Sequence, residues 1–293
     1  MAGEELYTEF FGLTERPFTL TPDPSFLFWS KQHQRAFAVL EYGLMARTPI
    51  TLITGEIGSG KTTILRAFLK DIDPEITVGL ISNAQGGRGE LIQWILNALS
   101  IPVEPGSSYV SMFQLLQETL VGEYATGRRV VLIFDEAQNL SIEGLEELRM
   151  LTNINSGKDE LVQLVLVGQP ELRDVVKSPR MRQLAQRVTA SFHLQPLEKK
   201  AVTDYIRHRL QVAGGTGKEI SRSAAELIHD ASGGVPRLVN QLCEFALLYA
   251  WAAERKIVSV SIVRDVLNDG VSFSVEATPI VLGPEFSRGS AAE

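Results

Sequence analysis

The stretch Gly55-Glu56-Ile57-Gly58-Ser59-Gly60-Lys61-Thr62 decides the fold of this chain. It follows an apolar run at residues 49–54 and leads, from Thr63 onward, into a helical pattern that extends to residue 70. A strand, a glycine-rich loop and a helix in this order are typical of a phosphate-binding P-loop. The glycines let backbone N–H groups turn inward, and the start of the helix adds partial positive charge.

This glycine-rich loop predicts a bound nucleoside triphosphate rather than a chance match, because both the strand and the helix are in place. The lysine of a P-loop reaches the β- and γ-phosphates and the next hydroxyl ligates Mg²⁺, so we expect Lys61 and Thr62 to do so. The expected nucleotide-binding residues lie in the loop and the first helical turn: Gly55, Glu56, Ile57, Gly58, Ser59, Gly60, Lys61, Thr62 and Thr63.

The composition is that of an ordinary globular protein, with 293 residues, 44% hydrophobic and 22% charged. No apolar run approaches the ~20 residues that span a bilayer, and the acidic N-terminus does not resemble a secretory signal. We therefore expect a cytoplasmic chain without a transmembrane segment. Cys243, the only cysteine, excludes an intrachain disulfide and is expected in the core. The net charge of −7 gives no general attraction to nucleic acid, although a local basic patch stays open.

Strands and helices alternate through the first two-thirds of the chain. Further strands are predicted at 76–81, 130–134, 161–167 and 188–194. Helices are predicted near 31–47, 88–100, 108–125 and from a cap at Ser141. The 130–134 run is apolar at every position, which is typical of a strand buried on both faces of a helix-covered parallel sheet. The alternation predicts an α/β fold.

The two ends of the chain differ from this alternating region. Aromatic residues and prolines within residues 1–30 argue for an extended strap, which either closes the core or contacts a ligand. From about Leu197 the pattern is helical only, with helices near 198–212, 221–231, 236–254 and 259–268. We therefore expect a strap and helix on the core at 1–48, the core at 49–196, a small helical lid at 197–270 and a poorly ordered tail at 271–293.

An acidic pair follows the most apolar strand. Asp135 and Glu136 emerge at its carboxyl end, where open parallel sheets bind their ligands. Asp135 is expected to hold Mg²⁺, and Glu136 to orient and polarise the water that attacks the γ-phosphate. Alone, such a pair more often just opens a loop, but the P-loop about 75 residues earlier favours the catalytic interpretation. Gln138 is a candidate for a supporting hydrogen bond.

Polar and basic residues near the last two strands complete the candidate site. Gln169 follows the 161–167 strand, where a side chain can sense the γ-phosphate, unless it is a plain turn residue. Arg180, Arg182 and Arg187 precede the last strand. A transferring phosphoryl group needs a cation, usually an arginine. We expect Arg187 to supply this cation, with Arg182 as the second candidate. For each of these arginines the alternative is a solvated basic face.

The motifs together resemble those of AAA+ ATPases. The P-loop, Asp-Glu-Ala-Gln, Gly-Gln-Pro-Glu-Leu, Leu-Ala-Gln-Arg-Val and Gly-Val-Pro-Arg occur in the order found there. The opening, with Phe10-Phe11-Gly12-Leu13, Pro17-Phe18 and Pro22-Asp23-Pro24, is similar to the general secretion pathway protein A (ExeA-type) family. The resemblance covers about residues 6–270.

This resemblance implies a P-loop AAA+ core with a five-stranded parallel sheet, followed by an all-helical lid, with ATP and Mg²⁺ bound between them. It makes Lys61 and Thr62 the Walker A pair and Asp135 and Glu136 the Walker B pair. Gln169 becomes the sensor 1 candidate and Arg187 the arginine finger. Arg237, at a helix start, becomes the sensor 2 candidate, and Pro17 and Phe18 are implied contacts of the nucleotide.

Two functions are open at this level. The first is an ATPase that assembles into rings or filaments, hydrolyses ATP between subunits and serves a bacterial secretion, pilus or exopolysaccharide system. The second is a regulator of transposition that forms ATP-dependent filaments on DNA, similar to the TnsC and MuB proteins. The longer relatives carry a transmembrane segment and a peptidoglycan-binding domain that this chain lacks, which weakens the secretion role unless it is a fragment. Arg88, Lys158 and Arg173 are basic positions that either contact DNA or form solvated surface. A scaffold without turnover is disfavoured by the intact Asp135-Glu136 pair.

Overall fold

The computed structural model describes residues 7–21, 24–82, 90–156 and 159–270. The expected tail at 271–293 and the basic candidates Arg88 and Lys158 lie outside these residues. The chain forms two compact units. A sheet unit contains Thr21–Leu197 with Val235–Arg237, and a helical unit contains the first 20 residues with most of the chain after Leu197.

Strands and helices alternate through the sheet unit, as the sequence predicts. The strands are β1 (Ile50–Gly55), β2 (Ile76–Ser82), β3 (Arg129–Asp135), β4 (Asn155–Ser156), β5 (Asp159–Glu160), β6 (Val162–Gly168) and β7 (Val188–Leu194). The helices are α1 (Thr8–Phe11), α2 (Lys31–Met45), α3 (Lys61–Asp71), α4 (Glu90–Ala98), α5 (Tyr109–Ala125), α6 (Ile142–Leu151), α7 (Pro170–Lys177), α8 (Arg182–Arg187), α9 (Lys199–Val212), α10 (Arg222–Ser232), α11 (Pro236–Ala252) and α12 (Val260–Asn268).

Five strands form one parallel sheet in the order β2-β3-β6-β1-β7. The predicted α/β class and five-stranded parallel sheet are confirmed. The register pairs Phe134 with Leu166 and Thr54 with Gly168, so β3, β6 and β1 end close together at one edge of the sheet. The short β4 and β5 form a separate antiparallel pair that the sequence did not predict.

Two hydrophobic cores cover the two faces of the sheet, and the side chains of β3 alternate between them. Val130, Leu132 and Phe134 join the core formed with α4, α5 and α6. Val131 and Ile133 join the core formed with α2 and α3. All five side chains are at most 1% exposed, as the continuous apolar run predicts. Asp135 follows as the first polar residue after this apolar run.

The sequence predicted an extended N-terminal strap, but part of this segment is helical. Thr8–Phe11 form one helical turn before the first proline, Pro17. Gly12, with a φ of 70°, ends this turn in the left-handed conformation that glycine tolerates. Helix α2 begins at the predicted Ser30 cap, whose hydroxyl accepts a hydrogen bond from the His33 N–H, and ends two residues before Arg47.

The helical unit holds the start of the chain by polar contacts. The Tyr7 hydroxyl donates to Glu244 on α11, 2.6 Å away, and the Arg16 guanidinium pairs with the same carboxylate. The Pro17 carbonyl accepts from the Arg209 guanidinium on α9. Residues 7–20 thus belong to the same compact unit as these helices. The expected packing of the strap and helix at 1–48 on the core stays a prediction.

Two further expectations concern the helices. Cys243 lies on α11 and is fully buried, as expected of a core residue. Among the described residues, no helix has the length and apolar character needed to cross a membrane.

The contact between α2 and β1 leaves no room for a side chain at Gly43. A Cβ there would lie 2.1 Å from the Thr51 hydroxyl oxygen, whereas one at Gly122 on α5 would meet nothing within 4 Å. We expect Gly43→Ala to lower the free energy of unfolding by about 1–3 kcal/mol through overpacking. Gly122→Ala is expected to raise it by up to about 1 kcal/mol, since alanine favours helix. Urea unfolding followed by circular dichroism measures both; equal midpoints would contradict the close approach.

Candidate active site

The sheet brings the predicted chemical groups to one edge. The glycine-rich loop follows β1, Asp135 ends β3, and Gln169 follows β6, which lies between those two strands. Because all three strands are parallel, their carboxyl ends meet at the same edge. The strand order therefore explains why motifs far apart in sequence form one site.

The glycine-rich loop (residues 55–62) turns at two glycines. Gly58 and Gly60 have φ angles of 77° and 99°, which other residues rarely adopt. The Lys61 ammonium donates to the carbonyls of Gly55 (2.8 Å) and Glu56 (2.9 Å), so it closes the loop from within. Burial lowers the pKa of Lys61, and the nearby carboxylates of Glu136 and Asp135 oppose this shift.

Thr62 and Asp135 form a direct contact across the site. The Thr62 hydroxyl donates to one Asp135 carboxylate oxygen at 3.2 Å, and the N–H of Glu136 donates to the other at 3.0 Å. Burial raises the pKa of Asp135 above its ordinary value, although both hydrogen bonds favour the carboxylate. The pair joins the helix after β1 to the end of β3.

Glu136 is held in one orientation by two amide side chains. Its φ of 57° is in the left-handed region, a conformation that costs a non-glycine residue energy and that clusters at functional sites. Its Oε2 accepts hydrogen bonds from the side-chain amides of Gln138 and Gln169, the latter at 3.2 Å. The side-chain oxygen of Gln138, Oε1, accepts a hydrogen bond from the Gln169 backbone N–H at 3.0 Å. Gln138 therefore links the ends of β3 and β6.

Gly168 makes room for this link. A Cβ at position 168 would lie 2.9 Å from the Gln138 side-chain oxygen and 2.7 Å from Leu172. The residue before Gln169 is therefore a glycine because Gln138 packs directly against its backbone. The sequence suggested Gln138 only as a supporting hydrogen-bonding residue, and Gly168 was not singled out.

The three candidate arginines differ in their surroundings. The Arg187 side chain, at the end of α8, bonds the Asn153 side chain and lies 3.8 Å from the Glu160 carboxylate. Arg180 and Arg182 are exposed. All three precede β7, as predicted; which of them serves a neighbouring subunit stays a prediction.

Arg237 and the strap residues lie in different units. Arg237 groups with the sheet unit, where its N–H donates to the Gly58 carbonyl at 3.2 Å and its side chain is exposed. Pro17 and Phe18 belong to the helical unit, and Phe18 is buried. The nucleotide contacts expected of these residues stay predictions.

One buried residue at the loop was not predicted. His33, on the first turn of α2, lies with its Nε2 3.1 Å from the Ser59 carbonyl oxygen. The sequence signal was present, because His33 is the third residue after the Ser30 cap, where a capping box usually has glutamate or glutamine.

The side chains at the loop fit a nucleotide and a divalent cation. The Ser59 hydroxyl is buried, and no described protein group bonds it, so it is available to a phosphate oxygen. The Thr62 hydroxyl and the Asp135 carboxylate supply the oxygen ligands that Mg²⁺ prefers. The arrangement suits binding and hydrolysis of a nucleoside triphosphate.

Comparison with known proteins agrees with this geometry. Residues 45–176 match a family model described as an AAA domain. General secretion pathway protein A of Aeromonas hydrophila is 41% identical over 254 residues, which is 86% of this chain and 46% of that protein. Cdc6p of Pyrobaculum aerophilum has a similar structure, with a TM-score of 0.65 and 22% identity over 87% of this chain and 72% of the other. The Aeropyrum pernix ORC2 protein also has a similar structure, with a TM-score of 0.63 and 17% identity over 87% of this chain and 71% of that protein.

The strand order, the loop and these matches define the chain as an AAA+ ATPase. Within this class it belongs to the family of general secretion pathway protein A, as the resemblance of its opening motifs implied. The chain spans about half the length of the curated relative that it matches.

The raised pKa of Asp135 predicts that its ionised carboxylate lowers the stability of the nucleotide-free protein. A carboxyl whose folded pKa is raised contributes stability below its unfolded pKa of about 4, and this contribution is lost as the pH rises through the folded value. We therefore expect Asp135→Asn to raise the urea midpoint at pH 7 but to change it little at pH 4. The same midpoint difference at both pH values would contradict this expectation.

Gly168→Ala tests the link between Glu136 and β6. The added methyl would lie 2.7 Å from the end of the Leu172 side chain, 2.9 Å from that of Gln138 and 3.3 Å from the Gln138 backbone nitrogen, so we expect the unfolding midpoint to fall less than in Gly43→Ala. Displacement of Gln138 should lower kcat for ATP about tenfold, the effect of about 1.4 kcal/mol in the transition state, without weakening ATP binding. Gly122→Ala is the control. Unchanged kcat in Gly168→Ala would show that Gln138 does not hold Glu136 in its working position.

Proposed function

We propose that this chain is a Mg²⁺-dependent ATPase that hydrolyses ATP at the contacts between its own subunits. Assembly into a ring or a filament would then control hydrolysis, and the assembly would support a bacterial envelope secretion system. The observation that carries the proposal is the Glu136 carboxylate, fixed by two amides beside the Thr62–Asp135 pair.

Glu136 is the proposed general base. A base must hold its carboxylate within hydrogen-bonding reach of the attacking water and in one orientation. The amides of Gln138 and Gln169 occupy one oxygen, Oε2, which leaves Oε1 to accept a proton from water. Because Gln169 bonds the same carboxylate, it would lie near that water, as the sensor role implied by the family resemblance requires.

Lys61, Thr62 and Asp135 are the proposed triphosphate and metal ligands. Mg²⁺ would be held by the Thr62 hydroxyl and, directly or through water, by Asp135, and it supplies charge neutralisation at the phosphates. The Lys61 ammonium bonds two loop carbonyls, and exchanging these for phosphate oxygens would give it charge-assisted bonds. Arg237 is proposed as a further phosphate contact because its backbone bonds the loop at Gly58.

Arg187 is the proposed cation from the neighbouring subunit, with Arg182 as the second candidate. A transferred phosphoryl group is stabilised by an arginine, which many ATPases and GTPases receive from another chain. The hydrogen bond from Arg187 to Asn153 would orient its guanidinium before assembly. A pre-oriented side chain loses less entropy on binding.

Secretion is the proposed setting because the 41%-identical relative is a general secretion pathway protein. The structural likeness to Cdc6 and ORC proteins carries the fold only, since the identities are 22% and 17%. The net charge of −7 also disfavours a general attraction to DNA. DNA binding is therefore tested as the alternative outcome.

Mixing two inactive variants tests the shared site. Glu136→Gln should bind ATP, hydrolyse it 10²–10⁴-fold more slowly as expected for loss of a general base, and accumulate as the assembled form. Arg187→Ala should bind ATP without turnover. Mixed in equal amounts, they should recover about a quarter of wild-type activity, since a quarter of randomly formed contacts pair an intact Glu136 with an intact Arg187.

The control for the mixture is Arg128→Ala, which removes an exposed ion pair with Glu123 elsewhere on the sheet unit and should leave turnover unchanged. Recovery of activity when Glu136→Gln is mixed with Arg182→Ala, but not with Arg187→Ala, would identify Arg182 as the arginine finger. No recovery with either would contradict a shared site. Stimulation of wild-type turnover by DNA, lost steeply with added salt, would favour the DNA-filament function over secretion.

A further inference from the structure

A buried histidine packs against the glycine-rich loop and contacts its backbone. His33 is 6% exposed and lies on the first turn of α2, within the sheet unit. Its Nε2 is 3.1 Å from the Ser59 carbonyl oxygen, and its Nδ1 is 2.6 Å from the Ser30 hydroxyl. A Cβ at Gly60 would lie 2.6 Å from Nε2, so the ring packs directly against the loop.

The partners of the ring define its proton positions. The Ser59 carbonyl only accepts hydrogen bonds, so Nε2 carries the proton and donates it. Nδ1 then accepts from the Ser30 hydroxyl, whose oxygen in turn accepts from the His33 backbone N–H at 3.3 Å. Burial lowers the pKa of His33, which agrees with a neutral ring. Every polar atom of the Ser30 and His33 side chains therefore has a compatible partner.

Holding the Ser59 carbonyl also orients the next N–H. The described chain contains no cis peptide bond, and a planar trans peptide directs its carbonyl and its N–H to opposite sides. With the Ser59 oxygen on His33, the Gly60 N–H faces away from the ring. No described backbone acceptor takes this N–H. It is therefore available to an anion on the other side of the loop.

The loop itself does not enforce this orientation. A flip of the Ser59–Gly60 peptide changes ψ of Ser59 and φ of Gly60, and glycine permits a change of φ that other residues oppose. A flipped peptide would present a carbonyl to the triphosphate in place of a donor, and carbonyl oxygens repel phosphate. The hydrogen bond from His33 Nε2–H to the Ser59 carbonyl opposes such a flip from outside the loop.

We propose that His33 is a positioning residue for ATP binding, whose Nε2–H keeps the Ser59–Gly60 peptide oriented with the Gly60 N–H toward the triphosphate. This inference rests on the proposed ATP-binding function of the loop. It differs from a space-filling role of the ring, because it requires a hydrogen-bond donor at the Nε2 position.

Three substitutions of His33 separate the two roles in the full chain. The amide nitrogen of His33→Gln reaches the position of Nε2, that of His33→Asn reaches only the position of Nδ1, and His33→Leu fills space without a donor. We expect His33→Asn and His33→Leu to weaken ATP binding about tenfold, and His33→Gln to stay within about threefold of wild type. At saturating ATP, kcat should change little, so the loss appears in KM.

Calorimetric titration with ATP and steady-state kinetics measure these effects, with Gln34→Leu on the exposed face of the same helix as the control. Equal weakening by Gln, Asn and Leu, or no weakening by any of them, would overturn the inference. Failure of wild-type protein to bind ATP would overturn the proposed function instead.

A spectroscopic measurement needs no nucleotide. Nitrogen-15 spectra of the four histidines, assigned for His33 by its absence in His33→Leu, should show the neutral Nε2–H form at pH 7. A neutral Nδ1–H form would contradict the donor role directly, whatever the binding data show.

Discussion

The burial of β3 on both faces is the constraint on which the rest of the sheet unit depends. Five consecutive apolar side chains exclude water from both sides of this strand, so helices must cover both faces and the strand must pair on both edges. The run ends at Asp135, the first residue that needs polar partners. The position of the acidic pair thus follows from where the apolar run stops.

Polar groups beyond that point are already arranged for chemistry. Lys61 and Asp135 are both largely buried, and the protein pays part of their desolvation on folding rather than on binding. Glu136 accepts an unfavourable backbone conformation and is held by two amides. Little rearrangement of Asp135 and Glu136 would then be needed on nucleotide binding, whereas the Lys61 ammonium would exchange two loop carbonyls for phosphate oxygens.

The sequence predicted the fold and the main motifs because their signals are local. The glycine pattern, the apolar runs and the Ser30 cap each depend on a few neighbouring residues. The roles of Gln138 and Gly168 could not be predicted in the same way, because their packing depends on β3 and β6 being neighbours, which no local pattern contains. The Ser30 cap marked the position of His33 on its helix, but its contact with Ser59, 26 residues away, has no local signal. The left-handed Glu136 also has no signal, because glutamate rarely adopts that conformation.

The ties from Tyr7 and Arg16 to Glu244 join residues more than 220 positions apart. Contacts of such sequence separation form late, because the intervening chain must first be ordered. During synthesis the first 20 residues therefore leave the ribosome long before their partners on α9 and α11 exist. Residues 21–197 of the sheet unit are synthesised in the interval. The contacts of Tyr7 and Arg16 with Glu244 are thus expected to be among the last to form.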